Sequence, residues 1–441
     1  MRRADSLCIA VAAAALLAAP AAAQTPDTAA VRGVTLAEAV RLAEEVQPRV
    51  VQAEGALRNA DARIRTARGA YLPSLSLSTR ASQSYSGVQS SRTDPNTGLP
   101  VTGSTSGSVS TSLNASVDLF TGFRRGAETR AARATSEAAE ASLVDARFQQ
   151  ALATTNQFFD ALAARQLLAV REQSVRRAEQ QLAVSVNRLA AGSATRSDSL
   201  RSRVTLGTAQ LQLLQAQAQL ADAEANLGRL VGAQVRVRAL DDSTFYQRND
   251  VIDTAAVRRD AEARAPQVRA ARADVVAAAA GVRSARAAYW PSLTLSGDVG
   301  LSGSKSNNYD FYDNRGVSLA LSWPIFNRWQ REQNIASQEV QADIAEAQAG
   351  ETARLVTASV TGQLAELEAA RARIGITTLS VTAATEDLRV QQERYRLGAS
   401  TIVDILTSQE ALNQAEVDAV NARFDYLRAK AQIEALIGRS L

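Results

Sequence analysis

The chain has 441 residues, of which 46% are hydrophobic and 21% are charged, and its formal net charge is +4. It contains no histidine, which excludes Ser-His-Asp hydrolysis, imidazole acid-base catalysis and histidine-ligated metal sites. Almost all of the positive charge is arginine, and these residues are scattered singly among Asp and Glu. Because a nucleic-acid surface needs a clustered basic stripe, we expect no nucleic-acid partner.

Residues 1–23 have the pattern of a secretory signal peptide. Arg2 and Arg3 precede an apolar stretch of residues 7–17, and three alanines follow at 21–23. A membrane anchor needs about 20 apolar residues, and this stretch is shorter. The only cysteine, Cys8, lies inside the segment, so the exported protein would have no disulfide and no thiolate. We therefore expect no catalytic site, no metal site and no cofactor.

The rest of the chain is a tandem repeat. Residues 70–78 recur at 288–296, and a second block, 120–232, recurs at 326–438 with matching Gly, Thr and Asp positions. Two blocks that each keep a constant offset are not expected by chance. The predicted units are a first repeat at 24–232, a linker at 233–249 and a second repeat at 250–441.

Long helices are predicted where proline is absent and apolar residues step by three and four. No proline occurs between 101 and 265 or after Pro324. Residues 144–162 and 200–225 both have this heptad rhythm, which is typical of helices packed side by side. A helix of about 65 residues would be about 100 Å long. After a first short helix in each repeat, the helices are predicted at about 124–190, 197–231, 328–396 and 402–437.

Between these helices the apolar residues alternate with a period of two, which predicts β-hairpins at about 74–119 and 292–324. One alternative is the edge of a soluble sandwich. A lipid-facing β-barrel is favoured because the strands are about 10 residues long and aromatic residues lie at both of their ends. The polar tips near 86–106 and 303–315 would then lie outside the cell. The predicted membrane-interface girdle on the helix side is Tyr71, Phe120, Tyr289, Trp290, Trp323, Phe326 and Trp329.

Two turns between helices carry a resemblance to a known family. Segments 188–198 and 394–406 are similar to an Arg-aromatic-x-x-Gly turn followed by Thr-x-x-Asp-x-Leu at the start of a helix. With the doubled order of helix, hairpin, long helix and medium helix, the chain resembles the TolC-type outer-membrane efflux family. It departs from that family at Gln47 and Ala265, which replace the asparagine of an Asn-Pro element.

The resemblance implies a mainly α fold with a transmembrane β-barrel of 12 strands closed by a homotrimer, standing on a helical tunnel through the periplasm. The implied function is a passive duct in the outer membrane, in contact with lipid, a periplasmic adaptor protein and an inner-membrane pump. The alternatives are a periplasmic coiled-coil adaptor or scaffold, which would have one helical hairpin, and an enzyme using carboxylates or a Ser-Lys pair. Nothing in the sequence names the cargo.

The resemblance also assigns roles to the two turns. They would form the periplasmic ends that meet the adaptor, with Arg188, Gly192, Arg394 and Gly398 as candidate contacts. Both glycines are also suited to a left-handed residue at a helix end.

A periplasmic gate is the second role that the resemblance implies. Asp404 would belong to a ring of acids, whose mutual repulsion would raise its pKa, and Tyr395 would bond Asp198. Thr407 stands where many relatives have a second acid. Capping of the following helix is an equally good explanation for both aspartates.

Overall fold

The computed structural model describes residues 32–86, 89–93, 100–101, 104–242, 245, 253–305 and 308–439. The predicted signal peptide lies outside the described residues, as does much of the tip predicted at 86–106. The described chain is mainly helical with one four-stranded sheet, and this part of the predicted fold class is confirmed. None of its described helices is both long enough and apolar enough to cross a membrane.

Each repeat has two short helices, strands, a very long helix and a medium helix. The first repeat comprises β1 (Arg32–Val34), α1 (Leu36–Val46), α2 (Pro48–Gly69), β2 (Ser74–Ser86), β3 (Gln89–Thr93), β4 (Pro100–Val101), β5 (Ser104–Phe120), α3 (Arg124–Ala190) and α4 (Arg196–Leu230). After β6 (Val237–Ala239), the second comprises α5 (Thr254–Arg264), α6 (Pro266–Arg286), a 3-10 turn (Ala287–Tyr289), β7 (Ser292–Ser304), β8 (Tyr312–Ser322), α7 (Gln330–Arg396) and α8 (Ile402–Ile437).

The short helices break at proline, and the long helices contain none. Pro48 and Pro266 occupy the first turn of α2 and α6, where a missing N–H costs nothing. Gln47, at the first break, donates from its side-chain nitrogen to the carbonyl of Leu230 at 2.6 Å and so ties the break to the end of α4. α3 and α7 each run for 67 residues without interruption, which is about 100 Å of helix.

The four long strands form one antiparallel sheet in the order β2, β5, β7, β8. The pairing of β5 with β7 joins the two repeats. Alternation puts the leucines and valines of all four strands on one face, and no part of the chain that the structure describes covers this face. Leu77, Leu319 and Val317 on this face are exposed. β2 and β8 are the two edges of the sheet, and neither has a second partner strand among the described residues.

The opposite face of the sheet is rich in hydroxyl groups. Serines that face each other across β2 and β5 are hydrogen-bonded in pairs, with Ser78 and Ser112 at 2.9 Å and Ser84 and Ser106 at 2.7 Å. The hydroxyl of Thr294 on β7 donates to Asp118 of β5 at 2.8 Å. The sheet is therefore amphipathic, with one apolar face and one face of mainly small, polar side chains.

The largest apolar core lies near the middle of the long helices. Phe158 and Phe159 of α3 pack with Phe424 of α8 and with the small parallel sheet of β1 and β6. β6 lies inside 233–249, the segment predicted as the linker between the repeats. Val237 of this strand is fully buried in the core, and a three-residue strand has too little periodicity to be detected from sequence.

The helices form rows rather than a bundle. Toward the turns, α4 packs on α3, α3 on α8 and α8 on α7. Toward the sheet, α2 packs on α3, α3 on α6 and α6 on α7. The row near the turns is therefore bounded by α4 and α7, and the row near the sheet is bounded by α2 and α7. The sheet is arranged in the same way, since one edge strand, β2, belongs to the first repeat and the other, β8, to the second.

Candidate functional site

The two turns that end α3 and α7 have the same backbone geometry. Gly192 and Gly398 are in the left-handed region, with φ of 70° and 77°. Beyond them, Ser193 N–H donates to the carbonyl of Arg188 at 2.9 Å, and Ala399 N–H donates to the carbonyl of Arg394 at 2.7 Å. This pattern satisfies carbonyls at a helix end and reverses the chain within five residues.

Each following helix begins with a reciprocal capping box. Thr195 accepts a hydrogen bond from the N–H of Asp198, and the Asp198 carboxylate accepts one from the N–H of Thr195 at 2.9 Å. Thr401 and Asp404 repeat the arrangement, with 2.8 Å for the bond to the carboxylate. Both aspartates therefore have a capping role, which was one of the two explanations that the sequence left open.

A stacked pair connects the two turns. The guanidinium of Arg188 lies 4.2 Å from the ring centroid of Tyr395, and its Nη1 donates to the Tyr395 carbonyl. The expected bond from Tyr395 to Asp198 is not formed. The Tyr395 hydroxyl is buried and has no hydrogen-bond partner in the described part of the chain, and the Asp198 carboxylate is turned back onto its own cap.

The other candidate contacts and Thr407 are differently placed. Arg394 donates to the carbonyl of Ala399 in its own turn at 3.2 Å, so it has no equivalent of the stack made by Arg188. Arg188 is half-buried, whereas Gly192 and Gly398 are exposed. Thr407 is exposed on α8, one turn beyond Asp404.

The carboxylate of Asp404 is more strongly held than its repeat counterpart. Besides the N–H of Thr401, its Oδ2 accepts hydrogen bonds from the hydroxyls of Thr401 at 2.8 Å and Ser400 at 2.9 Å. These bonds, with the Thr401 N–H first, lower the pKa of Asp404 from its ordinary value. Within one chain this is the reverse of the raised pKa that we expected, because that expectation considered the repulsion within a ring of acids and not the hydrogen bonds of the cap.

A second connection between the repeats lies deeper along α3. Arg177 forms a two-pronged ion pair with Glu416 of α8, at 2.6 and 3.1 Å, and donates to Asn413 at 2.7 Å. Sequence analysis missed this group. Both partners lie more than 230 positions from Arg177 in the sequence, and Arg177 resembles the many solvent-facing arginines of the helices.

Between these two connections lies a groove bounded by α3 and α7. Its volume is about 680 Å³. Amide side chains of Gln180, Gln181 and Gln392 line it together with Arg177 and Glu393. The groove is open to solvent.

The predicted girdle residues gather where strands meet helices. Trp290, Trp323 and Trp329 are all exposed there. Arginines at equivalent positions of the two repeats lie over tyrosine rings, with Arg125 at 4.7 Å from Tyr71 and its counterpart Arg331 at 4.0 Å from Tyr289. Arg125 also donates to the carbonyl of Leu119 near the end of β5, and Arg331 donates to the carbonyl of Pro324 just after β8, so each arginine ties a strand end to its helix.

The fold and the doubled turns together define a class of protein. Residues 39–233 and 257–439 match the model of the family described as outer membrane efflux protein. The chain belongs to the outer membrane efflux protein family, and its location is the outer membrane.

The chain is similar to curated proteins and to a solved structure, and two of these are named as outer membrane proteins. The chain is 29% identical to the protein CyaE of Bordetella pertussis over 85% of this chain and 78% of the relative. It is 26% identical to the pyoverdine export outer membrane protein OpmQ of Pseudomonas putida over 64% of this chain, a match that spans 60% of the length of that relative. The crystal structure of VceC from Vibrio cholerae has the same fold, with a TM-score of 0.73, 20% identity and coverage of 92% of this chain and 96% of VceC.

The first prediction concerns the backbone at the turns. Gly398→Ala places a side chain at positive φ, which should lower stability by about 1–2 kcal/mol. The control is Gly362→Ala in the exposed middle of α7, where an added methyl group meets nothing, and it should raise helix stability by up to about 1 kcal/mol. Thermal unfolding in detergent, followed by circular dichroism, measures both. Equal behaviour of the two variants would contradict the role assigned to the turn.

A second prediction separates the Arg188 stack from the hydroxyl of Tyr395. Arg188→Gln removes the stack and should raise single-channel conductance, because it releases α3 from α7 at the turns. Tyr395→Phe keeps the ring beneath Arg188 and removes a hydroxyl with no partner in the described structure, so it should leave conductance near wild type.

The matched control is Arg394→Gln, which changes the equivalent arginine of the second repeat and should not open the channel. If Tyr395→Phe raises conductance as much as Arg188→Gln, the hydroxyl bond exists in the assembled channel and the stack is not the main contact.

Proposed function

We propose that three copies of this chain form a passive duct through the outer membrane and periplasm, which an adaptor protein and an inner-membrane pump supply with cargo. One observation supports the proposal most strongly. The sheet and both rows of helices are open, and each has one outer element from the first repeat and one from the second. Nothing in such a duct is catalysed, and energy comes from the pump.

The sheet provides the strongest argument for closure. Strands β2 and β8 leave unpaired N–H and C=O groups at the two edges, while the apolar face is suited to lipid. An open edge in the hydrocarbon costs several kcal/mol for each unsatisfied group. Pairing β2 of one copy with β8 of the next removes every edge, and three copies of four strands give a 12-stranded barrel.

The polar face of the sheet would then line the lumen. It consists mainly of serine and threonine residues, several of them hydrogen-bonded across strands, with charged side chains at Arg80, Asp118 and Asp298. Small side chains predominate on this face and leave a wide passage. Selection of cargo would therefore lie at the narrow helical end or in the pump.

The aromatic residues at the strand-helix junctions support the same orientation. Trp and Tyr side chains prefer the level of the lipid headgroups, and all three tryptophans of the chain lie at this end of the strands. The long helices would then extend into the periplasm, and the tips predicted near 86–106 and 303–315 would face outward.

The turns are the proposed gate and adaptor contact. Arg188 on Tyr395 and Arg177 on Glu416 each join the first repeat to the second, so separating them would widen the periplasmic end. The groove between α3 and α7 is the proposed contact for a helical hairpin of the adaptor. The alternative of an adaptor or scaffold protein is less well supported, because one helical hairpin would require neither the second pair of helices nor the amphipathic sheet.

The third prediction tests assembly directly. Light scattering of the detergent-extracted protein, with detergent mass subtracted, should give three chains per particle. Removal of detergent should cause aggregation, since the apolar face of the sheet would be exposed to water. A stable monomer that remains soluble after osmotic shock would contradict the proposal.

The fourth prediction concerns charge at the gate. Asp404→Asn preserves a capping oxygen and removes the charge, so it should reduce cation selectivity measured by reversal potentials in a salt gradient. Since hydrogen bonds lower the pKa of Asp404, its carboxylate stays ionised as the pH falls, and wild-type selectivity should persist at pH 5.

The control is Asp198→Asn, which makes the same change in the equivalent capping box. Unchanged selectivity in a correctly assembled Asp404→Asn channel would show that Asp404 only starts the helix. Loss of wild-type selectivity between pH 7 and pH 5 would contradict the lowered pKa.

A further inference from the structure

Arginine is concentrated where the helices meet the sheet. Four segments of six residues lie there, and we call them the arginine collar: 64–69 in α2, 124–129 in α3, 281–286 in α6 and 328–333 at the start of α7. Each segment contains two arginines, and the only acids are Glu128 and Glu332. The collar therefore has eight arginines and a net charge of +6, whereas the whole chain has a net charge of +4. The basic character of the chain is thus local.

Half of the collar arginines have a partner within the chain. Arg125 and Arg331 lie over tyrosine rings, and Arg124 and Arg286 each lie near a glutamate, at 3.9 and 2.6 Å. The other four are exposed and have no hydrogen-bond or ion-pair partner among the described residues: Arg65, Arg68, Arg283 and Arg328. Because a guanidinium is not deprotonated in proteins, these four groups require water or an external anion as their partner.

The collar lies at the depth of the lipid headgroups. Trp290, Trp323 and Trp329 are exposed at the helix end of the strands, and Arg328 directly precedes the last of them. Tryptophan side chains prefer the boundary between hydrocarbon and headgroups. Six helical residues extend about 9 Å beyond that boundary, and the headgroup region on each side of a bilayer is about 5–8 Å thick. The arginines therefore coincide with the layer that contains lipid phosphate.

The other end of the strands has no such excess of positive charge. The two tip segments, 86–106 and 303–315, together contain three basic and three acidic residues. One of the basic residues, Arg315, is paired with Asp313 of its own strand at 3.1 Å. An excess of arginine is therefore not a general consequence of meeting a membrane surface, and it distinguishes the helix side of the sheet.

The backbone at Arg328 is a second, independent observation. Arg328 and Trp329 are both in the left-handed region, with φ of 58° and 63°. The first repeat has Gly122 and Phe123 at the equivalent positions, with φ of 61° and 66°. A glycine adopts this conformation without strain, whereas an arginine brings its Cβ close to the following carbonyl oxygen. The second repeat thus has a strained, exposed arginine where a glycine would fit, which indicates that the side chain has a function.

We propose that the arginine collar binds the phosphate groups of anionic phospholipids in the periplasmic leaflet of the outer membrane. The proposal rests on the orientation proposed above, with the helices in the periplasm. The planar fork of a guanidinium matches the oxygens of a phosphate, and a basic segment beside a membrane attracts anionic lipids over about one Debye length. The bound headgroups hold the duct at a fixed depth, because a vertical shift would separate the arginines from the phosphate layer.

Thermal dissociation of the detergent-solubilised oligomer, followed on gels, tests the binding. A ligand that binds only the assembled form raises the transition temperature. Phosphatidylglycerol should raise it by several degrees more than phosphatidylcholine, whose choline group compensates the phosphate charge. Raising the salt from about 0.1 M to about 1 M shortens the Debye length from about 10 Å to about 3 Å and should remove most of this difference.

Charge removal identifies the residues. The collar variant combines Arg65→Gln, Arg68→Gln and Arg283→Gln, and it should lose the preference for phosphatidylglycerol at low salt. The matched control removes three exposed arginines near the turns, which also have no partner among the described residues: Arg196→Gln, Arg201→Gln and Arg203→Gln. The control carries the same change in net charge, and it should keep the full preference.

Substitutions of Arg328 separate its charge from its backbone. Arg328→Gly relieves the left-handed strain, so it should raise the transition temperature without lipid and reduce the additional increase that phosphatidylglycerol gives. Arg328→Lys keeps the charge and should retain most of that increase. If Arg328→Gly keeps the whole effect of phosphatidylglycerol, the arginine does not bind lipid.

The outcomes are distinguishable from failure of the duct, because light scattering reports assembly independently. Three chains per particle with an unchanged phosphatidylglycerol effect in the collar variant would overturn the proposal. An equal increase from inorganic phosphate would show a site for free anions rather than for lipid. A changed reversal potential in the collar variant, with its lipid preference intact, would show that the arginines face the lumen. Absence of any oligomer in the wild type would instead contradict the proposed duct.

Discussion

The unpaired edge is the constraint on which this structure depends. The chain consists of one main sheet and two rows of helices. Each of these is bounded on one side by an element of the first repeat and on the other by an element of the second. β2 and β8 bound the sheet, while α4 or α2 and α7 bound the helical rows. In the sheet the cost of leaving an edge open in lipid is prohibitive, and along the helices the cost is exposed apolar surface. A closed ring relieves both costs with the same symmetry.

The tandem repeat explains how one chain supplies both sides of such a seam. Duplicated elements keep their local chemistry, as in the two capping boxes and the two arginines over tyrosines at the strand ends. They differ where the repeats must meet. Leu189 of the first turn corresponds to Tyr395 of the second, so only the second turn offers a ring to the arginine of the other. The contact that joins the turns arises from this difference.

Most helices and strands could be predicted from local sequence patterns. The absence of proline and the heptad rhythm predicted a helix over 124–190, and α3 spans Arg124–Ala190. Alternation predicted the strands, although β7 and β8 extend further toward their tip than expected, to Ser304 and from Tyr312. Local patterns could not show which face of a helix packs on its neighbour. The rhythm at 200–225 indicates a packed helix, yet the side of α4 that packs on α3 is the one with Ser202 and Ala209.

The site was predictable in position and less so in its bonds. The turns and caps follow from Gly192, Gly398 and the Thr-x-x-Asp spacing, because those interactions are between near neighbours. The contacts between repeats depend on three-dimensional packing. A bond between Tyr395 and Asp198 was carried over from a resemblance, and the capping box uses that carboxylate instead.

The central claim is that the edges close on copies of the same chain. Electron cryomicroscopy of the protein in lipid nanodiscs tests it most directly, since views along the tunnel show the number of strands and helices in the wall. The account predicts a threefold particle with 12 strands in the membrane and a continuous helical wall in which α4 lies beside α7 of its neighbour. A ring of another symmetry, or an isolated chain with β2 and β8 unpaired in the bilayer, would contradict it.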